Sequence, residues 1–177
     1  MVDYFPVVTG TRHTYAYLKG DKKRVVECVS KETKGKGTIR AAFKASESGK
    51  VYRDKYSLYG NKVEHTAAGG LGLKGHYMLQ LPKAGATARW EMKGGDGFTY
   101  SYQSSFGKTE AGGKEYPDCV IVEQKAVKDK KNNGTTYFYY AKDVGLVSMM
   151  VYNPEKTLIS SQSFALTEGG TSEAPTP

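Results

Sequence analysis

The sequence is poor in the residues and patterns that would commit it to a familiar chemistry. Of its 177 residues only two are cysteine, Cys28 and Cys119. Two cysteines build no disulfide framework, and neither belongs to a Cys-x-x-Cys pair, so a dithiol redox centre and a zinc ribbon are excluded. Both fall in apolar runs, residues 25–29 and 119–122. They read either as small buried hydrophobes or as the two ends of a single bridge. Histidine is just as scarce. His13, His65 and His76 have no His-x-x-x-His spacing and no cysteine neighbour, so no metal set is implied. No run approaches the ~20 apolar residues of a membrane-spanning helix. No signal peptide precedes Val2-Asp3-Tyr4-Phe5-Pro6, so a targeting segment is expected to lie outside this chain.

Catalytic patterns are missing too. No Gly-x-Ser-x-Gly elbow occurs. The glycine-rich residues 69–75 lack the Gly-Lys-Ser/Thr of a phosphate loop and open no helix. They read as a loop over one mouth of a sheet, with Leu71 and Leu73 as apolar contacts for a ligand. Asp54, Glu64, Glu91 and Asp118 offer carboxylates, but no spacing pairs them. The expectation is a protein that is not an enzyme and uses no cofactor and no metal.

A long amphipathic helix is also lacking. The best candidate, residues 64–73, is interrupted by Ala67-Ala68-Gly69-Gly70 and Gly72. What is present instead is alternation with period two. Residues 14–18 and 98–102 place aromatic residues at every second position, residues 51–59 are rich in Tyr, and residues 137–140 are four aromatics in a row. Tyrosine carries most of this pattern, with 14 residues against 6 Phe and 1 Trp; its apolar ring and polar tip suit a half-buried sheet. The 21 glycines supply turns. Ser48-Gly49, Gly60-Asn61, Gly20-Asp21 and Asn153-Pro154 all read as reversals, and Asn133-Gly134 reads as a type I′ hairpin turn. No repeat of roughly 20 to 50 residues is seen. The reading is all-β: an antiparallel barrel, half-barrel or sandwich of about ten strands. Residues 1–166 form one domain, and residues 167–177, without an apolar anchor, form a tail or linker stub.

Net charge is +8, most of it lysine spread along the chain. The densest run, Lys125, Lys128, Lys130 and Lys131, is expected at a hairpin tip. No arginine-rich, aromatic-interleaved motif accompanies it, so no specific nucleic acid is implied; sequence-independent polyanion binding is the weaker option.

Three landmarks together resemble a bacterial family of secreted or lipoprotein-borne β domains. The first is Tyr4-Phe5-Pro6 with Gly10, Tyr15 and Tyr17. The second is Leu81-Pro82 with Gly85 and Trp90. The third is Tyr116-x-Asp118-Cys119-Val120-x-Val122, followed by residues 139–147, Tyr-Tyr-Ala-Lys-Asp-Val-Gly-Leu-Val. The family opens on Tyr-Phe-Pro-Leu-x-x-Gly. Asp143 stands where it has glycine, a position that needs a left-handed residue. A more distant similarity is to the half-barrel lipoprotein carriers of the periplasm. The resemblance implies an exported domain of the periplasm, cell surface or medium, often borne on an envelope protein. Two functions follow as expectations. One is a non-enzymatic envelope module that binds a protein or polymer. The alternative is a carrier of a lipid or other apolar small molecule in a barrel or half-barrel cavity, with Trp90, Tyr77, Leu71 and Leu73 in contact with it. A filled interior favours the first, and an apolar void of several hundred Å3 favours the second.

Overall fold

The computed structural model describes residues 1–17, 21–67 and 74–168. The first half of the chain gives β1 (Arg12–Tyr17), β2 (Lys23–Lys34), β3 (Thr38–Glu47), β4 (Lys50–Tyr59), β5 (Lys62–Ala67) and β6 (His76–Gln80). The second half gives β7 (Ala88–Lys93), β8 (Thr99–Ala111), β9 (Lys114–Lys128), β10 (Lys131–Ala141), β11 (Gly145–Tyr152) and β12 (Leu158–Glu168). All twelve lie in one antiparallel sheet, in the order β6-β5-β4-β3-β2-β1-β12-β11-β10-β9-β8-β7, nearly closed into a barrel. A barrel removes the exposed edges that a flat sheet of this width would present. The count exceeds the ten strands expected, and the sandwich alternative falls away because there is one sheet.

The edge strands β6 and β7 share no backbone ladder and meet through side chains. The Trp90 indole N–H donates to the Tyr77 carbonyl at 3.0 Å. From the next strand, β8, the Ser104 hydroxyl donates to the Gln80 carbonyl at 2.5 Å. The main core lies beneath this seam and across the barrel, with Leu58, Val63, Leu79, Val120 and Val122 buried in it. A smaller cluster gathers Ala111, Tyr116, Cys119, Ala141 and Val147.

The N-terminal segment closes the end of the barrel where β10 turns into β11. Phe5 lies against Phe43, Tyr56 and Tyr140, at ring-centroid distances of 5.8, 5.2 and 6.3 Å. The Gly10 N–H donates to the Cys28 carbonyl at 2.8 Å, and the Cys28 N–H to Thr11 at 3.1 Å. Asp143 holds the left-handed φ of 61° at the position where the resemblance has glycine, and its N–H donates to the Asp3 carbonyl. Gly145 has φ +94°, and a Cβ there would sit 3.1 Å from Pro6 Cδ. Glycine is therefore what lets the segment seat.

One turn differs from expectation. The β9–β10 hairpin reverses at Asp129-Lys130, whose φ values of 51° and 61° make a type I′ pair. Asn133-Gly134 lies inside β10 at a bulge, where the Gly134 N–H donates to Asn132 Oδ1 at 3.0 Å. Local side-chain bonding by Asn absorbs an extra residue in a strand as readily as it makes a turn. Lys130 sits in the true turn, and Lys128 and Lys131 flank it. The two cysteines are unbridged and buried, Cys28 on β2 and Cys119 on β9, and burial pushes both thiols up. The expected turn at Gly20-Asp21 and the proposed loop at 69–75 fall largely outside the described residues. β12 runs to Glu168, two residues past the expected domain end, and residues 169–177 lie outside the described residues.

Candidate functional site

Alternation sends every second side chain of each strand toward the barrel axis. On β2 these are Arg24, Val26 and Cys28; on β4, Asp54 and Tyr56; on β10, Phe138 and Tyr140. They surround a cavity of about 350 Å3. Phe5, Pro6 and Val8 of the N-terminal segment form one end of its wall, and Met78, Leu146 and Met149 add apolar surface.

The wall also carries Thr11, His13, Arg24, Asp54, Asp143 and Gln162, besides three tyrosines. The Tyr15 hydroxyl donates to the Leu146 carbonyl at 3.0 Å. Burial raises the pKa of Tyr15, Tyr56 and Tyr140 far above the ordinary 10.0, so all three remain neutral donors. His65 Nε2 lies 3.1 Å from the Asp54 carboxylate, and the two residues are 0% and 3% exposed. The donor is the imidazole Nε2–H. The His65 ring stacks on Tyr56 at 4.7 Å and 13°, and its other nitrogen, Nδ1, has no hydrogen-bond partner. Arg24, 7% exposed, lies on the wall across from Tyr15 in the β1–β2 ladder. Tyr17 sits beside it, its pKa pushed up to about 12 first by burial and then by Glu47, with Arg24 acting in the opposite sense.

A second buried polar chain runs beside the seam. Gln124 Nε2–H donates to the Tyr102 hydroxyl at 2.8 Å, and Tyr102 in turn meets His76 Nδ1 at 2.8 Å. Burial lowers the His76 pKa, so the ring is neutral; Tyr102 donates to Nδ1 and the ring proton sits on Nε2. Trp90 stacks flat on Tyr102, at 5.1 Å and 1°.

The buried neutral imidazoles make stability depend on pH. His13 and His76 both have pKa values below the ordinary 6.5 in the folded chain, each mainly through burial. The unfolded chain therefore binds more protons in this range. The stabilisation is complete above about 6.5 and is lost as pH falls below it toward the folded values. The melting temperature is expected to fall between about pH 7 and pH 5, and His76→Gln to flatten that slope. A melting temperature constant over this window would contradict neutral burial.

Of the residues singled out from sequence, Trp90 and Tyr77 are brought together at the seam. Trp90 packs on the core, while Tyr77 meets Tyr59 edge-on at 6.4 Å and lies under the Lys62 ammonium at 4.7 Å. Neither lines the cavity. Leu71 and Leu73 are outside the described residues. Arg24, Asp54 and Phe5 were missed as cavity residues. A signal existed for two of them: Arg24 shares parity with Val26 and Cys28, and Asp54 with Tyr52, Tyr56 and Leu58. A charge in the apolar phase of a strand points inward.

No family model matches the chain, and no curated protein matches it. Solved structures do share its fold. One is a protein from Bacteroides fragilis described as an exported protein with YmcC-like fold. It has 16% sequence identity and a TM-score of 0.59, covering 93% of this chain and 98% of that one. Another, from Parabacteroides distasonis and described as a lipoprotein, has 14% identity and a TM-score of 0.57, with the same coverage. MucB is a third, at 11% identity and a TM-score of 0.41, covering 98% of this chain and 58% of MucB; that score bears no weight. At these identities the first two establish the fold: a twelve-stranded antiparallel barrel of the kind seen in those two bacterial proteins.

Proposed function

We propose that this chain is an exported, non-enzymatic barrel that takes a small apolar molecule into its lumen. The observation that carries the reading is the cavity of about 350 Å3, walled mostly by Phe, Met, Val and Tyr. Its size lies within the roughly 300–1,000 Å3 range of small-molecule sites, and most of its exposed wall is apolar, as in such sites. The export half of the reading is supported by the two fold neighbours, described as a lipoprotein and as an exported protein. A lumen with open space favours a carrier over a module that only presents its outer faces to a protein or polymer.

Two measurements test this together. Purified protein is extracted with organic solvent and analysed by mass spectrometry, and the extracted protein is titrated with the apolar fluorophore N-phenyl-1-naphthylamine. Saturable binding of one fluorophore per chain is expected, and its loss in Met78→Trp, which fills the cavity wall. Fluorophore binding that survives the filled lumen, or no binding by the wild type, would sink the proposal.

A further inference from the structure

We propose that the luminal ligand is uncharged and carries a carbonyl oxygen, as a ketone or acyl ester does, which the hydroxyls of Tyr56 and Tyr140 hold. This inference rests on the luminal-binding reading above. The charged groups of the wall are already matched within the chain. Glu47 faces Arg24 across the β2–β3 ladder, and both reach the Tyr17 hydroxyl. Asp54 accepts from His65 and acts on Tyr56 together with Arg24. Asp143 is exposed at the rim, where water solvates it. His13 is uncharged at neutral pH, because burial lowers its pKa. A ligand ion would thus lose its hydration and gain no unmatched counter-charge, which disfavours either sign.

The groups that the lumen leaves open are neutral. The Tyr15 hydroxyl donates to the Leu146 carbonyl, but the Tyr56 and Tyr140 hydroxyls and the Gln162 amide bond no partner among the described residues. All three residues line the cavity, with Tyr140 3% and Gln162 6% exposed. Unlike His65 Nδ1 and Ser148 Oγ, which are sealed in, these polar groups border open space. A buried hydroxyl without a partner is destabilising, and a ligand acceptor removes that penalty. The Tyr56 and Tyr140 rings both contact Phe5, and Tyr140 lies near enough to act on the ionisation of Tyr56. Burial keeps both phenols protonated. Two phenol donors on one stretch of wall match the two lone pairs of a carbonyl oxygen. Phe43, Met78, Phe138 and Met149 present apolar surface to the rest of the molecule.

Displacement of bound N-phenyl-1-naphthylamine at neutral pH by four probes of similar size separates the two readings. Butyrophenone and butylbenzene differ by the carbonyl, and 4-phenylbutyrate and 4-phenylbutylammonium carry a charge of either sign. Wild type is expected to bind butyrophenone about tenfold more tightly than either ion. The Tyr56→Phe, Tyr140→Phe double variant keeps both rings; it is expected to weaken butyrophenone about tenfold while leaving butylbenzene within about twofold. If either ion matches butyrophenone, or if the variant changes the two neutral probes alike, the carbonyl assignment is overturned and the luminal site stands. If the fluorophore does not bind, or none of the four probes displaces it, the luminal site itself fails. The single Phe variants give the same comparison if the double variant does not fold.

Discussion

Replacing Phe5 by alanine is expected to cost about 3 kcal/mol of stability, near the low end for truncating a buried phenylalanine. The ring is only partly buried, which keeps the figure from the upper end. Its contacts, however, tie two halves of the barrel to the segment that closes it: Phe43 and Tyr56 on one side, Tyr140 on the other. Deleting the ring also removes part of the cavity wall, so the loss of contacts is joined by an enlarged void. Denaturation in urea should show the midpoint falling with an unchanged slope, because the folded state stays compact. A matched change at exposed Val2, 46% accessible, should stay within about 0.5 kcal/mol. If Phe5→Ala costs no more than Val2→Ala, the N-terminal segment does not seal the barrel.

Trp90 sets the second large effect. Its side chain does two things at the seam: the ring stacks on Tyr102, and the N–H occupies the Tyr77 carbonyl. Trp90→Phe keeps an aromatic ring over Tyr102 but removes the donor, leaving a carbonyl unpaired where β6 has no ladder partner. The expected cost is about 1–3 kcal/mol. Trp90→Ala removes the ring as well and should cost about 3–5 kcal/mol. The damage should be local. Amide exchange should accelerate along β6 and β7 in Trp90→Phe, while β9 and β10, paired on both sides, keep their protection. Uniform acceleration across all twelve strands would mean that the indole N–H does not hold the seam.

The strand pattern was legible because half-buried sheets write themselves into sequence as alternation, and here tyrosine wrote most of it. The two strands beyond the expected ten are among those with the thinnest apolar signal. β7 reads Ala-Arg-Trp-Glu-Met-Lys, with charges at every outward position and only Trp90 and Met92 toward the core. β5 carries Val63 and His65 inward, and a histidine does not register as apolar. The hairpin tip was misplaced by four residues because Asn-Gly outranks Asp-Lys in turn preference, while the register was decided by pairing along the whole of β9 and β10. The site was less legible. Inward parity marks Arg24 and Asp54, but which inward residues face one another depends on the barrel's stagger, which no local pattern encodes. His65 meets Asp54 across the β4–β5 hairpin, whereas the meeting of Phe5 with Tyr140 is a product of closure.

The strand order has a further consequence. Read from β7 through β12 and on from β1 to β6, the barrel is one unbroken meander in which every neighbour is a hairpin partner except at a single junction. That junction, β1 with β12, joins the first and last strands by a full ladder from Arg12↔Glu168 to Tyr17↔Gln162. The protein is thus a circular permutation of a linear twelve-strand ribbon. Its two discontinuities fall in different places and compensate one another. Where the backbone is interrupted, hydrogen bonds bridge the gap. Where the hydrogen bonds are interrupted, between β6 and β7, the backbone runs on through residues 81–87 as a covalent tether. No point on the circumference lacks both.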